Sequence, residues 1–290
     1  MSFRDIDVLN ITTCEAPLPS DVNDVDITKE RVLPASTKPT QMSGMYFKVR
    51  IHLLSARICK ALSSKEALSQ AQVALFDAEI AEEQRNWDST FLQDGCPNVL
   101  ETSSYAQWCL LQLYANQLYL LLYRQFCRVG SKTLSSSSTE ASKAKCMMAG
   151  AALLDIHRQL WEAPRLRHFR WYMDGLASFC AFHGAVALAT CLLDWGGEAF
   201  EQESYRFAFD AAVSRIQKLQ DRSRICKRAY PVLLQLQSML SPSLFEWSSV
   251  NGLSFEASLN EWVDSLQWLD TNLSDLVGVD LTGSYPLGLT

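Results

Sequence analysis

The sequence predicts an all-α protein: a multi-helix bundle with an extended lead-in before it and an acidic tail after it. Three observations carry this expectation. Between residues 41 and 240 apolar side chains return every three or four positions, the period of a helix with one buried face. Glycine is scarce, 12 in 290 residues, and no hairpin dipeptide stands between alternating strands, which disfavours turn-dense β folds. Apolar residues make up 48% of the chain against 20% charged, a balance that favours a buried core over disorder.

The lead-in comes first. Residues 1–40 hold Pro17, Pro19, Pro34 and Pro39, four of the nine prolines, which rule out a long helix and predict an extended chain. Residues 41–240 then read as helix after helix, starting near Ser43. Ser63 and Glu66 have capping-box spacing ahead of a helix that ends near Trp87. Thr102, Ser103 and Ser104 precede a helix over 105–128, in which Trp108, Leu111, Tyr114 (or the neighbouring Ala115), Leu118 and Leu122 recur at helical spacing. The Ser-rich stretch 130–143 reads as a loop.

A helix from about Glu140 to Glu162 stops at Pro164, because the residue before a proline is pushed out of the α region. The next spans 166–194, closed by Gly196 and Gly197 at a C-cap, and another spans 201–220. The last starts near Arg222, and Pro231 must begin or kink it. Residues 241–290 form the tail. No internal repeat at a period of about 30–45 residues is visible, so a solenoid is not expected.

The longest apolar stretch, 176–193, is about long enough to cross a bilayer. It carries Ser178, His183, Gly184 and Thr190 and reads instead as a buried core helix, so no membrane is expected. The opening MSFRDIDVLN lacks the basic flank and apolar run of a signal peptide. Nine cysteines without a CxxC pair argue against a disulfide framework and a ribbon-type zinc site, and for a reducing compartment.

Chemistry is hard to find. GxSxG, GxGxxG, a P-loop and HExxH are all absent. Asp24–Thr28 (DVDIT) has the outline of an aspartyl-phosphate nucleophile loop, but that loop needs its first Asp at the end of a buried strand and LPSDVN before it is polar. Asp77, Glu79, Glu82 and Glu83 read as a solvated helix face rather than a magnesium site. His52, His157, His168 and His183 lie far apart, and His183 reads as a satisfied core histidine. Cys180 and Cys191 read as small buried hydrophobes. The sequence assigns no catalytic residue, no cofactor and no metal, which leans against an enzyme.

Charge is divided unevenly. No Lys or Arg follows Arg228, whereas Glu246, Glu256, Glu261, Asp264, Asp270, Asp275 and Asp280 do. Set against a chain total of −6, these seven acids leave +1 for the first 228 residues. Free nucleic acid is a poor partner for such a tail, and no single strong basic face is evident elsewhere. The bases fall in two groups, Arg165, Arg167, His168 and Arg170, then Arg215, Lys218, Arg222, Arg224, Lys227 and Arg228. Both read first as surface ion pairs and helix C-terminal partners, with a phosphate-contacting or nuclear-import patch as the alternative. In the tail, Leu259, Trp262, Leu266, Trp268 and Leu269 alternate with the acids. Such a segment folds as an amphipathic helix into a coactivator groove, or else docks back on the body.

The order of segments resembles the fungal-specific transcription factor domain, the regulatory region that follows a zinc-cluster DNA-binding motif in many fungal activators. The resemblance runs over about 5–240. It is carried by Leu18-Pro19, the acidic run 21–26 (DVNDVD), the Thr/Pro-rich spacer and 42–62, then by 145–149 (KCMMA) to His157 and by 164–172 (PRLRHFRWY). Residues 182–185 (FHGA), 213–216 (VSRI), 223–226 (SRIC) and 229–233 (AYPVL) complete it. The family's six-cysteine zinc cluster, its basic segment and its dimerisation helix are missing, as is the first part of the regulatory domain. By this resemblance the chain starts inside that domain and carries no residue for direct DNA binding, and zinc is not implied.

The resemblance implies a nuclear transcription-regulator-like protein serving a fungal biosynthetic (secondary metabolite) gene cluster. It would act through a coactivator, a paralogous regulator or an apolar small-molecule effector. Two alternatives stand beside it. One is a helical small-molecule-binding protein or biosynthetic enzyme, cytoplasmic, whose helices 105–123 and 171–195 line an apolar cavity. The other is an inhibitory partner of a full-length paralogue.

Overall fold

The computed structural model of the chain describes residues 17–63, 68–124, 137–193 and 199–240. After a 3-10 turn at Asp24–Asp26 come α1 (Ser43–Leu62) and α2 (Gln70–Phe91). A two-residue hairpin follows, β1 (Leu92–Gln93) and β2 (Cys96–Pro97), then α3 (Thr102–Tyr123) and α4 (Ser137–Glu162). A 3-10 helix at Pro164–Asp174 leads to α5 (Leu176–Leu193), α6 (Ala199–Lys218) and α7 (Arg224–Leu240). The all-α expectation holds.

Successive helices run antiparallel. Phe47 of α1 meets Trp87 and Phe91 of α2, Trp108 and Tyr123 of α3 meet Asp88 and Asp77 of α2, and Tyr105 of α3 meets Gln159 of α4. His157 of α4 meets Ser178 of α5, and Asp210 of α6 meets Gln237 of α7. α5 lies at the centre, packed against α3, α4, α6 and α7. Among the described residues it is the one helix long and apolar enough to cross a membrane, and 78% of it is buried inside the bundle. The core-helix reading of 176–193 therefore stands.

α4 and α5 touch backbone to backbone. A Cβ built on Gly184 would lie 2.9 Å from the Gly150 carbonyl oxygen and 3.1 Å from Leu153 Cβ. A Cβ on Gly150 would lie 2.9 Å from the Gly184 carbonyl oxygen. Only glycine at both positions permits this approach.

Several local expectations change. Ser63 closes α1 rather than opening α2: its amide and hydroxyl both donate to the Cys59 carbonyl. Glu66 lies outside the described residues. The capping box belongs to Ser69 and Gln72, where the Ser69 hydroxyl accepts from the Gln72 amide and Gln72 Oε1 accepts from the Ser69 amide. α4 starts at Ser137, so 137–143 of the Ser-rich stretch is helical, and 130–136 lies outside the described residues.

The helix expected over 166–194 is two elements. Pro164 opens a 3-10 helix with only Leu166 and Met173 buried, and Gly175 at φ −133°, ψ −105° breaks the chain before α5. Four basic residues among 165–170 leave no continuous apolar face of period 3.6 there, so the tighter helix costs little. Gly196 and Gly197 lie outside the described residues. Asp94-Gly95 does form a two-residue hairpin turn, with φ of 52° and 76°, the paired left-handed geometry that Asp-Gly favours. Its flanking strands are too short to leave an alternating pattern. Pro231 does not begin α7; it sits inside the helix on the exposed face, the position that the kink alternative requires.

Candidate interaction surface

The interior holds a polar chain that the sequence keeps far apart. Arg215 of α6 donates from Nε to His157 Nδ1 on α4 (3.4 Å) and from NH2 to the Leu154 carbonyl (3.1 Å). With Nδ1 accepting, the imidazole proton is on Nε2, 3.4 Å from Ser178 Oγ on α5, and Ser178 donates in turn to the Met173 carbonyl. Serine beside histidine suggests a nucleophile and base, but the protons run the wrong way. The serine hydrogen is committed to a carbonyl, and the histidine is faced by a cation where a triad needs a carboxylate. Burial, reinforced by Arg215, pushes His157 down to about 3. Both His157 and Ser178 are fully buried, so no substrate reaches them. This is a structural latch.

His183 is also fully closed in. Its Nδ1 lies 2.8 Å from Gln117 Nε2 on α3, and burial, with Arg124 nearby, pushes the imidazole down to about 3. The core-histidine expectation is met geometrically. Cys180 and Cys191 are buried, as expected, and burial raises the Cys180 thiol to about 12, well away from thiolate chemistry.

Of the four acids Asp77, Glu79, Glu82 and Glu83 on α2, three are paired within the bundle, and Glu82 alone is exposed without an ion pair among the described residues. Glu83 takes a forked pair from Arg50 of α1 (Nε to Oε2 2.9 Å, NH2 to Oε1 2.7 Å), Glu79 pairs with Arg57, and Asp77 accepts from Tyr123 (2.9 Å) and Lys145. Sequence reading missed this because the partners come from α1, α3 and α4. The cleft between α1 and α2, about 410 Å³, is lined by the Arg50–Glu83 and Arg57–Glu79 pairs together with Leu53, Leu54 and Glu82. Among the described residues no group of three His, Cys, Asp or Glu could hold a metal ion. DVDIT is not a nucleophile loop: Asp24–Asp26 is a 3-10 turn, and Asp26 Oδ2 accepts from the amides of Asn23 (3.1 Å) and Ser36 (3.2 Å).

A second polar seam joins α2 to α3. Asp88 Oδ1 accepts from Trp108 Nε1 (2.8 Å) and Gln112 Nε2 (3.2 Å), and Gln84 bridges Gln112 and Tyr119. Burial raises the Asp88 carboxyl against both hydrogen bonds. Asp88→Ala leaves the buried Gln112 amide and the half-buried Trp108 indole N–H without this acceptor. It is expected to lower the unfolding free energy by roughly 2 kcal/mol, read by urea denaturation, while Asp88→Asn keeps the acceptor and costs less.

What faces outward is basic and aromatic. The antiparallel order brings the N-termini of α3, α5 and α7 and the C-termini of α4 and α6 to one end of the bundle. There the 3-10 helix exposes Arg165, Arg167 and His168. Trp171 is 61% exposed, its ring stacked on Tyr172 with centroids 3.6 Å apart. Arg165 reaches the Val99 carbonyl (3.4 Å), which places the exposed Val99 and Leu100 beside it. At the other end of the same 3-10 helix, Asp174 accepts from Arg222 NH2 (3.2 Å) on its carboxylate and from Ser223 Oγ (2.9 Å) on its carbonyl. That pins the α6–α7 turn here, with exposed Lys218, Arg224 and Lys227.

The two basic groups, some fifty residues apart in the chain, thus share one end. The bases share that end with exposed Glu101, Glu162 and Asp221, so it is basic in balance rather than uniformly. Only Arg215 of the second group turns inward. The N-termini of α3, α5 and α7 and the C-termini of α4 and α6 bring opposite dipole ends here, so the field at this end is set mainly by the side chains.

Compared with family models, with curated proteins and with solved structures, the chain has no match. The chemistry of the surface therefore rests on its own residues. Leu259, Trp262, Leu266, Trp268 and Leu269 lie outside the described residues, as does Cys14 and all the rest of residues 1–16. The aromatic helices expected to line an apolar cavity contribute Leu111, Leu113 and Leu120 of α3 and almost all of α5 to the common core. Of the two helices expected to line a cavity, the first contributes Tyr123 to the border of the α2/α4 cleft, while neither α5 nor Trp171 lines that cleft or the one at α1/α2.

Proposed function

We propose that the chain is a transcription-regulator-like protein that works by protein contact rather than by chemistry, in the nucleus, in the service of a fungal biosynthetic (secondary metabolite) gene cluster. The basic, aromatic end of the bundle is the observation that carries this reading. Cations beside an exposed tryptophan are what an acidic, aromatic protein segment needs, and arginine with tryptophan is the composition of binding hot spots. The interior polar groups, by contrast, are closed off from substrate. The resemblance in segment order and the acidic, aromatic tail support the regulatory sense. In this reading the tail meets a coactivator through Leu259, Trp262, Leu266, Trp268 and Leu269.

The test is a reporter assay with the whole chain fused to an unrelated DNA-binding module. The fusion is expected to activate, and W262A/L266A/W268A is expected to reduce activation at least about tenfold, the equivalent of ~1.4 kcal/mol at one contact. An inert fusion, present at normal level in the nucleus, would remove the activating role.

A further inference from the structure

We propose that the basic, aromatic end of the bundle is a docking surface for the chain's own acidic tail, residues 256–270. The inference rests on the reading of that end and of the tail as contact surfaces, and it names the occupant.

Charge complementarity is the first argument. Arg167, Lys218, Arg224 and Lys227 are exposed at this end, and among the described residues none of them meets a carboxylate. Segment 256–270 supplies Glu256, Glu261, Asp264 and Asp270 and no base. The apolar chemistry matches as well. Trp171, Tyr172, Val99 and Leu100 offer a stacked ring pair and two exposed aliphatic side chains, and the segment brings Trp262 and Trp268. Cation–π contact between the arginines and those indoles adds to both.

Reach is the second argument. α7 has 17 residues and ends at Leu240, at the opposite end of the bundle from the basic surface. A helix of that length covers roughly 25 Å. Residues 241–255 span up to roughly 50 Å when extended, enough to return along α7 and cross the end. Tethering gives the segment an effective concentration on the order of millimolar at this end, and a coactivator that takes the tail competes with that docked state. Of the other acids of the bundle, Glu79, Glu83 and Asp77 are already paired within it, whereas exposed Glu101 and Asp221 lie at this end and lower its positive balance without removing it.

The experiment is zero-length carboxyl-to-amine cross-linking of the full chain at low concentration, read by peptide mass spectrometry. Lys218 and Lys227 are expected to link to Glu256, Glu261, Asp264 or Asp270 within monomers. Yield should fall roughly fivefold or more near 1 M salt, where exposed charges are screened beyond about 3 Å. The variant R167E/W171A/R224E keeps both reporter lysines and is expected to lose the links. The Lys145–Asp77 link, inside the bundle, serves as the internal standard and should persist in the variant.

Tail links to Lys48, Lys60 or Lys143 in equal yield would overturn the proposal, and so would links that the variant does not reduce. Links found only between two chains would overturn it in favour of a second copy's tail. Failure here leaves the reporter assay untouched, and an inert reporter fusion leaves the cross-links untouched, so the two readings fail separately.

Discussion

Between pH 7 and pH 4 the protein is expected to lose stability steeply, by about 3 kcal/mol for each of His157 and His183. Both imidazoles are fully buried and stand near 3 in the folded chain, against 6.5 when free. The unfolded chain therefore binds two protons more than the folded one through the window between those values. Stability rises with pH across that window and falls as pH drops through it. His157 is faced by Arg215 from α6, and Asp155 and Glu162 of its own helix lie further out. A charged imidazole there would meet a cation and lose the acceptor that holds it. His183 has Arg124 nearby and an amide at Nδ1, and its ring packs against Phe179 and Phe182.

Urea denaturation at pH 7, 6, 5 and 4 reads the effect directly. His183→Asn keeps an acceptor near the Nδ1 position without a titrating ring and should remove about half of the slope. A stability that stays level from pH 7 to pH 4.5 would show that these histidines are not buried as described.

Gly184→Ala is expected to cost about 2 kcal/mol net, and Gly184→Val more. The added methyl would stand 2.9 Å from a backbone oxygen of the neighbouring helix, where no flexible side chain can move aside. α4 and α5 must separate, and the layer around Leu153 and Ala185 loosens with them. Against this, alanine gains about 1 kcal/mol of helix propensity over glycine, so the net figure is smaller than the clash alone. Gly150→Ala meets the same contact from the other side.

Because one separation of the helices relieves both clashes, G150A/G184A should cost clearly less than the sum of the two single changes. Strict additivity, or stabilisation by either single change, would mean that the two backbones are not in contact. Melting or urea curves on the three variants decide it.

The helices were largely legible in the sequence because their signals are local. Apolar period, Pro164, and the all-round apolar character of 176–193 act over a few residues and need no partner. The misses were local too, where two signals competed. Ser63 and Ser69 both offer a cap; Gln72 reaches back to Ser69, while Ser63 turns to the Cys59 carbonyl and closes α1. The 3-10 helix at Pro164–Asp174 looks helical by composition but lacks an apolar face of α period.

The sequence by itself determined an all-α body, its central helix and the sign of its tail, since composition and period are properties of the chain. The tertiary structure alone decided that Arg215 faces His157, that Asp77, Glu79 and Glu83 of α2 are paired, and that the bases around Arg167 and Arg224 share one end. Those outcomes depend on helix direction and on which helices become neighbours. A side chain finds a partner across a helix interface only after the loops and the close approach at Gly150 and Gly184 have set the register, and no spacing along the chain encodes that distance.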